Sequence, residues 1–196
     1  MKRTFRIWVS LIVIIVVAAI IAISYYFIKQ NSRKYEIAKI ENYQYFTLKK
    51  NDTFGVIDKN QNIIIEPNYT DVKIPNPEKS VFVCYQGDDI TIFNEQKQEI
   101  FTEYEKVEPI RLKNIASDLM YEKTVLKYTE NGKYGLIDYS GKKITKAIYE
   151  ELDSLPYKEG ELLVKQDGKY GVINIRGNKL VDIAYDQISV DGYYTD

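Results

Sequence analysis

Between residues 53 and 188 the chain repeats one pattern four times, which restricts its architecture more than any single residue does. The copies are residues 53–72, 88–107, 133–152 and 169–188, aligned on Phe54, Asp89, Tyr134 and Tyr170. Those positions lie 35, 45 and 36 residues apart, so about ten residues are inserted between the second and third copies. Self-similarity at a period of 20–50 residues marks stacked or radial arrays: one unit is too small to bury its apolar face, and the next unit supplies the missing surface.

Each copy carries the same signals. A hairpin dipeptide opens it: Asn51-Asp52, Gln86-Gly87, Asn131-Gly132 and Asp167-Gly168. Three of the four place glycine second, which suits primed turns whose central residues take positive φ. An aromatic-Gly pair follows at Phe54-Gly55, Tyr134-Gly135 and Tyr170-Gly171, with Asp89-Ile90 in the second copy. A second turn starts at Asp58, Asp138 and Asn174, and in the last two glycine stands fourth, the chemistry of a type I turn. Then comes a β-rich run: Ile63-Ile64-Ile65, Ile100-Phe101, Ile144-Thr145 and Leu180-Val181. Every copy closes on Tyr-x-x-aliphatic: Tyr69/Val72, Tyr104/Val107, Tyr149/Leu152 and Tyr185/Ile188. Alternating apolar stretches precede the first turns, so each unit is expected to hold three or four strands of about five residues.

This pattern resembles the bacterial WG (or KWG) repeat. Gly168-Lys169-Tyr170-Gly171-Val172-Ile173-Asn174 is the nearest stretch, with Gly132-Lys133-Tyr134-Gly135-Leu136-Ile137-Asp138 beside it. The similarity covers roughly residues 45–190, with Phe54, Tyr134 and Tyr170 where the family has tryptophan and Asp89 in the second copy. The family's Ile-Pro before the tyrosine survives loosely as Glu66-Pro67. The resemblance implies an all-β array that binds, and it brings no defined ligand or catalytic residue.

Ahead of the repeats, residues 7–28 are uncharged and free of proline, with Ser10 and Ser24 as the only breaks in an apolar run. At 1.5 Å per residue such a helix is about 33 Å long, enough to cross a hydrocarbon core. Trp8 and the pair Tyr25-Tyr26 sit at depths that amphipathic rings favour. A transmembrane helix over 7–28 is therefore expected, with a cleaved signal peptide as the alternative, since Lys2, Arg3 and Arg6 precede it and Ala22-Ile23-Ser24 is a small-x-small triplet. Positive charge flanks both sides of the run. The basic tail favours an N-terminus inside and a repeat domain outside the cytoplasm. Residues 29–44 are polar and read as a stalk, and Lys113–Tyr121 as a further helical candidate.

The charge is unevenly spread. Residues 1–34 hold six bases and no acid, which leaves 21 bases against 28 acids in the rest of the chain. An acidic body does not suit nucleic acid. With no histidine, imidazole-dependent triads and HExxH zinc sites are excluded. Cys84 is the only cysteine, so no intrachain disulfide and no multi-thiolate metal site can form.

Other residues have structural explanations that outweigh chemical ones. Gly55, Gly135 and Gly171 are expected at close packing or bulges. Asp58 and Asp138 read as turn initiators, Gly87-Asp88-Asp89 as a hairpin tip, and Cys84 as a small buried hydrophobe. Glu150-Glu151 and Lys142-Lys143 read as solvated surface. Tyr69, Tyr104, Tyr149 and Tyr185 are expected at core or seam positions. Tyr139, Tyr157, Tyr193 and Tyr194 are candidates for exposure, where rings stack on sugars or peptides.

The expected architecture is an all-β array of four β-meander units, an open stack or a propeller-like ring, behind one N-terminal transmembrane α-helix. The segments are a tail over 1–6, the span over 7–28, the stalk over 29–44 and the repeats over 45–196, with units near 45–74, 81–107, 124–152 and 161–190. The expected function is a non-catalytic, membrane-tethered binding module for a protein or peptide, without catalytic residue, cofactor or metal. Alternatives are a cell-wall glycan binder using exposed tyrosines and, more remotely, a hydrolase using two carboxylates.

Overall fold

The computed structural model describes residues 16–29, 42–113 and 120–190. The chain divides near residue 43 into two units. In the first, residues 16–29 are helical, and apolar side chains such as Val16, Ile20, Ile21 and Phe27 are exposed along it. That helix is about 21 Å long, and among the described residues no helix is long and apolar enough to cross a membrane. The expected span over 7–28 is thus not supported as a whole. Its first part, 7–15 with Trp8, lies outside the described residues, as do most of the expected stalk and residues 114–119 of the helical candidate. Tyr121, the end of that candidate, instead opens a strand.

The described residues of the second unit form thirteen strands in four antiparallel sheets that follow chain order. The first sheet holds β1 (Tyr45–Lys50), β2 (Thr53–Asp58) and β3 (Ile63–Tyr69). β4 (Asp71–Lys73), β5 (Phe82–Gln86) and β6 (Asp89–Phe93) make the second. The third comprises β7 (Lys106–Arg111), β8 (Tyr121–Glu130) and β9 (Lys133–Asp138). In the fourth are β10 (Glu151–Ser154), β11 (Glu161–Gln166), β12 (Lys169–Asn174) and β13 (Lys179–Tyr185). Among the described residues they close into neither a barrel nor a propeller.

Three buried clusters join these sheets in sequence. Val56 and Ile65 of the first sheet pack with Val72, Phe82 and Cys84 of the second. Val83 and Ile92 of the second meet Val107, Leu126, Tyr128 and Ile137 of the third. Ile110, Val125 and Leu136 of the third meet Leu152, Leu162, Val164 and Ile173 of the fourth. The period of two explains how one strand serves two interfaces: on β5, Phe82 and Cys84 face backward and Val83 faces forward. β5 is covered on both faces, so Phe82-Val83-Cys84 reads as an apolar run. No buried cluster among the described residues joins the first sheet to the fourth, and each sheet leans only on its neighbours.

The recurrent Tyr-x-x-aliphatic segment is the crossing between sheets. Tyr69 ends β3, while Val72 lies in β4 of the next sheet. Tyr149 bridges to Tyr134 of the third sheet, while Leu152 lies in β10 of the fourth.

Strand pairing corrects the alignment of the second copy. The hairpins close on Lys50↔Thr53, Gln86↔Asp89, Glu130↔Lys133 and Gln166↔Lys169. The second dipeptide is therefore Gly87-Asp88, and the counterparts of Phe54-Gly55 are Ile90-Thr91. The spacings become 36, 44 and 36 residues. In the other three hairpins both central residues have positive φ, whereas here only Gly87 does, at 64°. Glycine first and a conventional residue second is the type II′ arrangement, against type I′ in the others. The third strand also varies. β3 and β13 pair as full strands with shifted register, but the second copy offers only the bridge Phe93↔Glu99, and the third only Tyr134↔Tyr149 and Ile137↔Lys143. The β-rich runs Ile100-Phe101 and Ile144-Thr145 form no strand.

Candidate functional site

The three aligned glycines sit where a neighbouring chain segment occupies the space of a side chain. A Cβ on Gly55 would lie 2.8 Å from the Pro67 nitrogen, and one on Gly171 would lie 2.8 Å from the Ile183 Cα. At Gly135 it would meet the Tyr128 ring at 2.5 Å and the Lys146 carbonyl oxygen at 2.9 Å. The register slips beside Gly55 and Gly171, the mark of a bulge. These positions serve close packing, and the room a ligand would need is taken.

Asp58 and Asp138 spend their carboxylates on their own turns. Asp58 Oδ1 accepts from the amides of Asn60 and Asn62, both at 2.8 Å. Asp138 Oδ1 accepts from Ser140 N at 2.8 Å and Lys142 N at 3.0 Å. Asn174 repeats this with Arg176 and Asn178, and Asn94 with Gln96 and Gln98. The side-chain hydrogen bonds, from Asn62 and from Ser140, lead in holding both aspartates below the usual carboxylate range. Asn94 marks the turn that the first alignment missed in the second copy.

Cys84 is 1% exposed, and burial pushes its thiol up to about 12. It is inert packing between the first two sheets. Glu150 and Glu151, and Lys142 and Lys143, lie on the surface. There Glu151 pairs with Lys165 at 2.8 Å, and Lys143 with Glu130 at 2.9 Å.

The tyrosines divide. Tyr149 is buried and bonded through its backbone to Tyr134. Tyr69 pairs with Phe54, and Tyr185 with Tyr170 in the same register. Tyr185 is nevertheless 51% exposed, because no described sheet covers it. Tyr104 falls outside the common register. It packs on Tyr128 at 4.8 Å between ring centres and donates to the Gly141 carbonyl at 2.7 Å. Tyr139, a candidate for exposure, is instead packed against the cluster between the second and third sheets, and burial raises its hydroxyl pKa. Tyr157 is exposed, while Tyr193 and Tyr194 lie outside the described residues.

Two grooves remain. One, of about 580 Å³, runs between β6 and the segment leading into β7, and Ile90, Thr91, Phe101 and Tyr104 are among its lining. The other, of about 630 Å³, lies beside β13 and is lined by Tyr149, Lys169, Lys179 and Ile183 among others. Residue-by-residue reading of the sequence assigned no site to either. For the first groove the available signal was the second copy's loss of its aromatic-Gly pair, at Asp89-Ile90.

Two stretches of the chain, residues 54–76 and 134–170, match the family described as WG containing repeat. Comparison with curated proteins and with solved structures finds no match. The likeness to WG-type repeats thus lies in the first copy and in the span from Tyr134 to Tyr170.

Proposed function

We propose that this protein is a non-catalytic binding module for a protein or peptide, held at a membrane by its N-terminal apolar segment with the repeats outside the cytoplasm. The observation that carries this reading is the match to WG-type repeats on a stack whose two grooves lie at strand edges. The turn-bound carboxylates of Asp58 and Asp138 and the buried thiol of Cys84 support a role without catalysis. The exposed apolar side chains of helix 16–29 support a lipid environment for it. The acidic body supports a partner other than nucleic acid.

The test is retention on the immobilised full chain from a membrane extract. One polypeptide recovered in stoichiometric amount, and displaced by free full chain, is expected. No such partner across several salt and pH conditions overturns the reading. Exposure of Tyr157 and Tyr185 favours a second reading, stacking on wall glycan. Co-sedimentation with isolated wall material that is lost in Tyr157→Ala and Tyr185→Ala would replace the first reading by the second. Membrane placement is checked separately. Repeats digested by protease added to intact cells, and full chain pelleting with membranes after a carbonate wash, are the expected results.

A further inference from the structure

Strand β6 pairs with β5 along its whole length, while among the described residues its other side holds only the bridge Phe93↔Glu99 at its far end. In its two-residue hairpin, Gln86↔Asp89 is the closing hydrogen-bonded pair, so Tyr85↔Ile90 and Val83↔Ile92 are non-hydrogen-bonded pairs. The amide and carbonyl groups of Ile90 and Ile92 therefore point away from β5. In the first and fourth copies the corresponding groups belong to Phe54 and Val56, and to Tyr170 and Val172, which pair with β3 and β13. In the third copy Tyr134 exchanges backbone bonds with Tyr149 at 2.8 and 3.1 Å, and the Leu136 amide donates to Thr145 Oγ1 at 2.9 Å. In the second copy the Ile100 amide reaches the Ile92 carbonyl at 2.9 Å. Among the described residues no backbone hydrogen bond reaches Ile90 from that side.

The groove of about 580 Å³ follows this open edge. Its apolar wall includes Phe101 and Val107, and its rim carries Asp88, Asp89, Glu99, Glu105 and a single base, Lys106. Glu105 accepts from the amides of Asn131 and Gly132, and Lys106 is held by Glu108 at 2.9 Å. Among the described residues Asp88, Asp89 and Glu99 have no ion-pair partner.

We propose that the outer edge of β6 takes an extended peptide segment bearing Lys or Arg, added antiparallel as the strand that the second copy lacks. This inference rests on the binding reading above and assigns its place and chemistry. Outward backbone groups at strand spacing match another strand, and main-chain pairing is an established mode of peptide capture. The fold itself shows the fit, since β3 and β13 lie along the equivalent edges. Three unpaired carboxylates on the rim select the charge of the occupant.

The test uses the full chain and two capped hexapeptides, one alternating Lys with Val and the other alternating Glu with Val. The Lys peptide is expected to slow amide hydrogen exchange in residues 87–93, and the Glu peptide to leave it unchanged. Ile90→Pro removes the outward amide without touching a bond to β5, and should abolish the protection. Combined Asp88→Asn, Asp89→Asn and Glu99→Gln changes only exposed side chains. It should weaken the Lys peptide about tenfold by fluorescence anisotropy, and it carries the test if the proline variant fails to fold. Unchanged exchange at 87–93 under saturating Lys peptide, or equal binding of both peptides, overturns the proposal. The carboxylates would then only guard an edge against aggregation. Protection confined to another segment overturns this site and leaves the binding reading standing.

Discussion

Ser154 is fully buried, and its hydroxyl works in both directions: it donates to the Arg111 carbonyl at 2.8 Å and accepts from the Lys113 amide at 3.0 Å. It lies on β10, while Arg111 ends β7 and Lys113 follows two residues after it, so the hydroxyl pins the end of the third sheet to the fourth. Asn76 does the same between the second and third, donating from Nδ2 to the Lys123 carbonyl at 2.8 Å. Ser154→Ala strands both backbone groups and should cost about 1–3 kcal/mol in urea unfolding. Nothing in the sequence marks these two side chains, because their partners lie about forty residues or more away. The turn aspartates, by contrast, were legible, because an Asx turn is satisfied within four residues. Asp58 and Asp138 titrate below the usual 3.8 in the folded chain, so their contribution is fully present above that value. It is lost as pH falls through the lower folded value. The chain itself uses Asn94 and Asn174 at the same place. Asp58→Asn with Asp138→Asn should therefore leave the melting temperature near wild type at pH 7, and reduce its fall as the pH drops below 3.8.

At the scale of an element, what matters about a glycine is whether a neighbouring segment takes the space of a side chain or its own φ is positive. Gly171 faces the backbone of Ile183, and a Cβ there would push β13 off β12. Gly168 stands at a hairpin tip with φ +73° and nothing within 4 Å of a new Cβ. Gly171→Ala is expected to cost at least about 3 kcal/mol and to expose the fourth sheet to proteolysis. Gly168→Ala should cost about 1 kcal/mol, the strain of a left-handed residue. Chemical denaturation of the two variants measures the difference. The aromatic-Gly pair was recognisable as a packing device from the sequence. Which strand closes on it was not, since β3 and β13 form strands while Ile144-Thr145, of similar composition, forms none and is flanked by single bridges at Lys143 and Tyr149.

Across the molecule, stability resides in the interfaces between successive sheets. Leu136 has no exposure and belongs to the cluster joining the third sheet to the fourth. Leu136→Ala should cost about 2–5 kcal/mol. In an array of nearest-neighbour contacts it should also split urea unfolding into two transitions, the fourth sheet leaving first. Leu180, exposed on the last strand, should change stability by less than about 0.5 kcal/mol when cut to Ala. Two probes, far-UV circular dichroism and proteolysis of the fourth sheet, distinguish one transition from two.

Three of the four turn dipeptides, the strands beside them and the Asx turns at Asp58, Asp138 and Asn174 follow from local chemistry, and the sequence alone determined them, together with the number of units. The tertiary structure decided where one sheet ends and the next begins: the tyrosine of Tyr-x-x-aliphatic closes a sheet and its aliphatic partner opens the following one. It also decided that the second copy is offset by one residue and leaves an edge of β6 open. Both depend on which strand lies against which, a long-range choice made by burial across the sheets, and a period read along the chain carries no record of it.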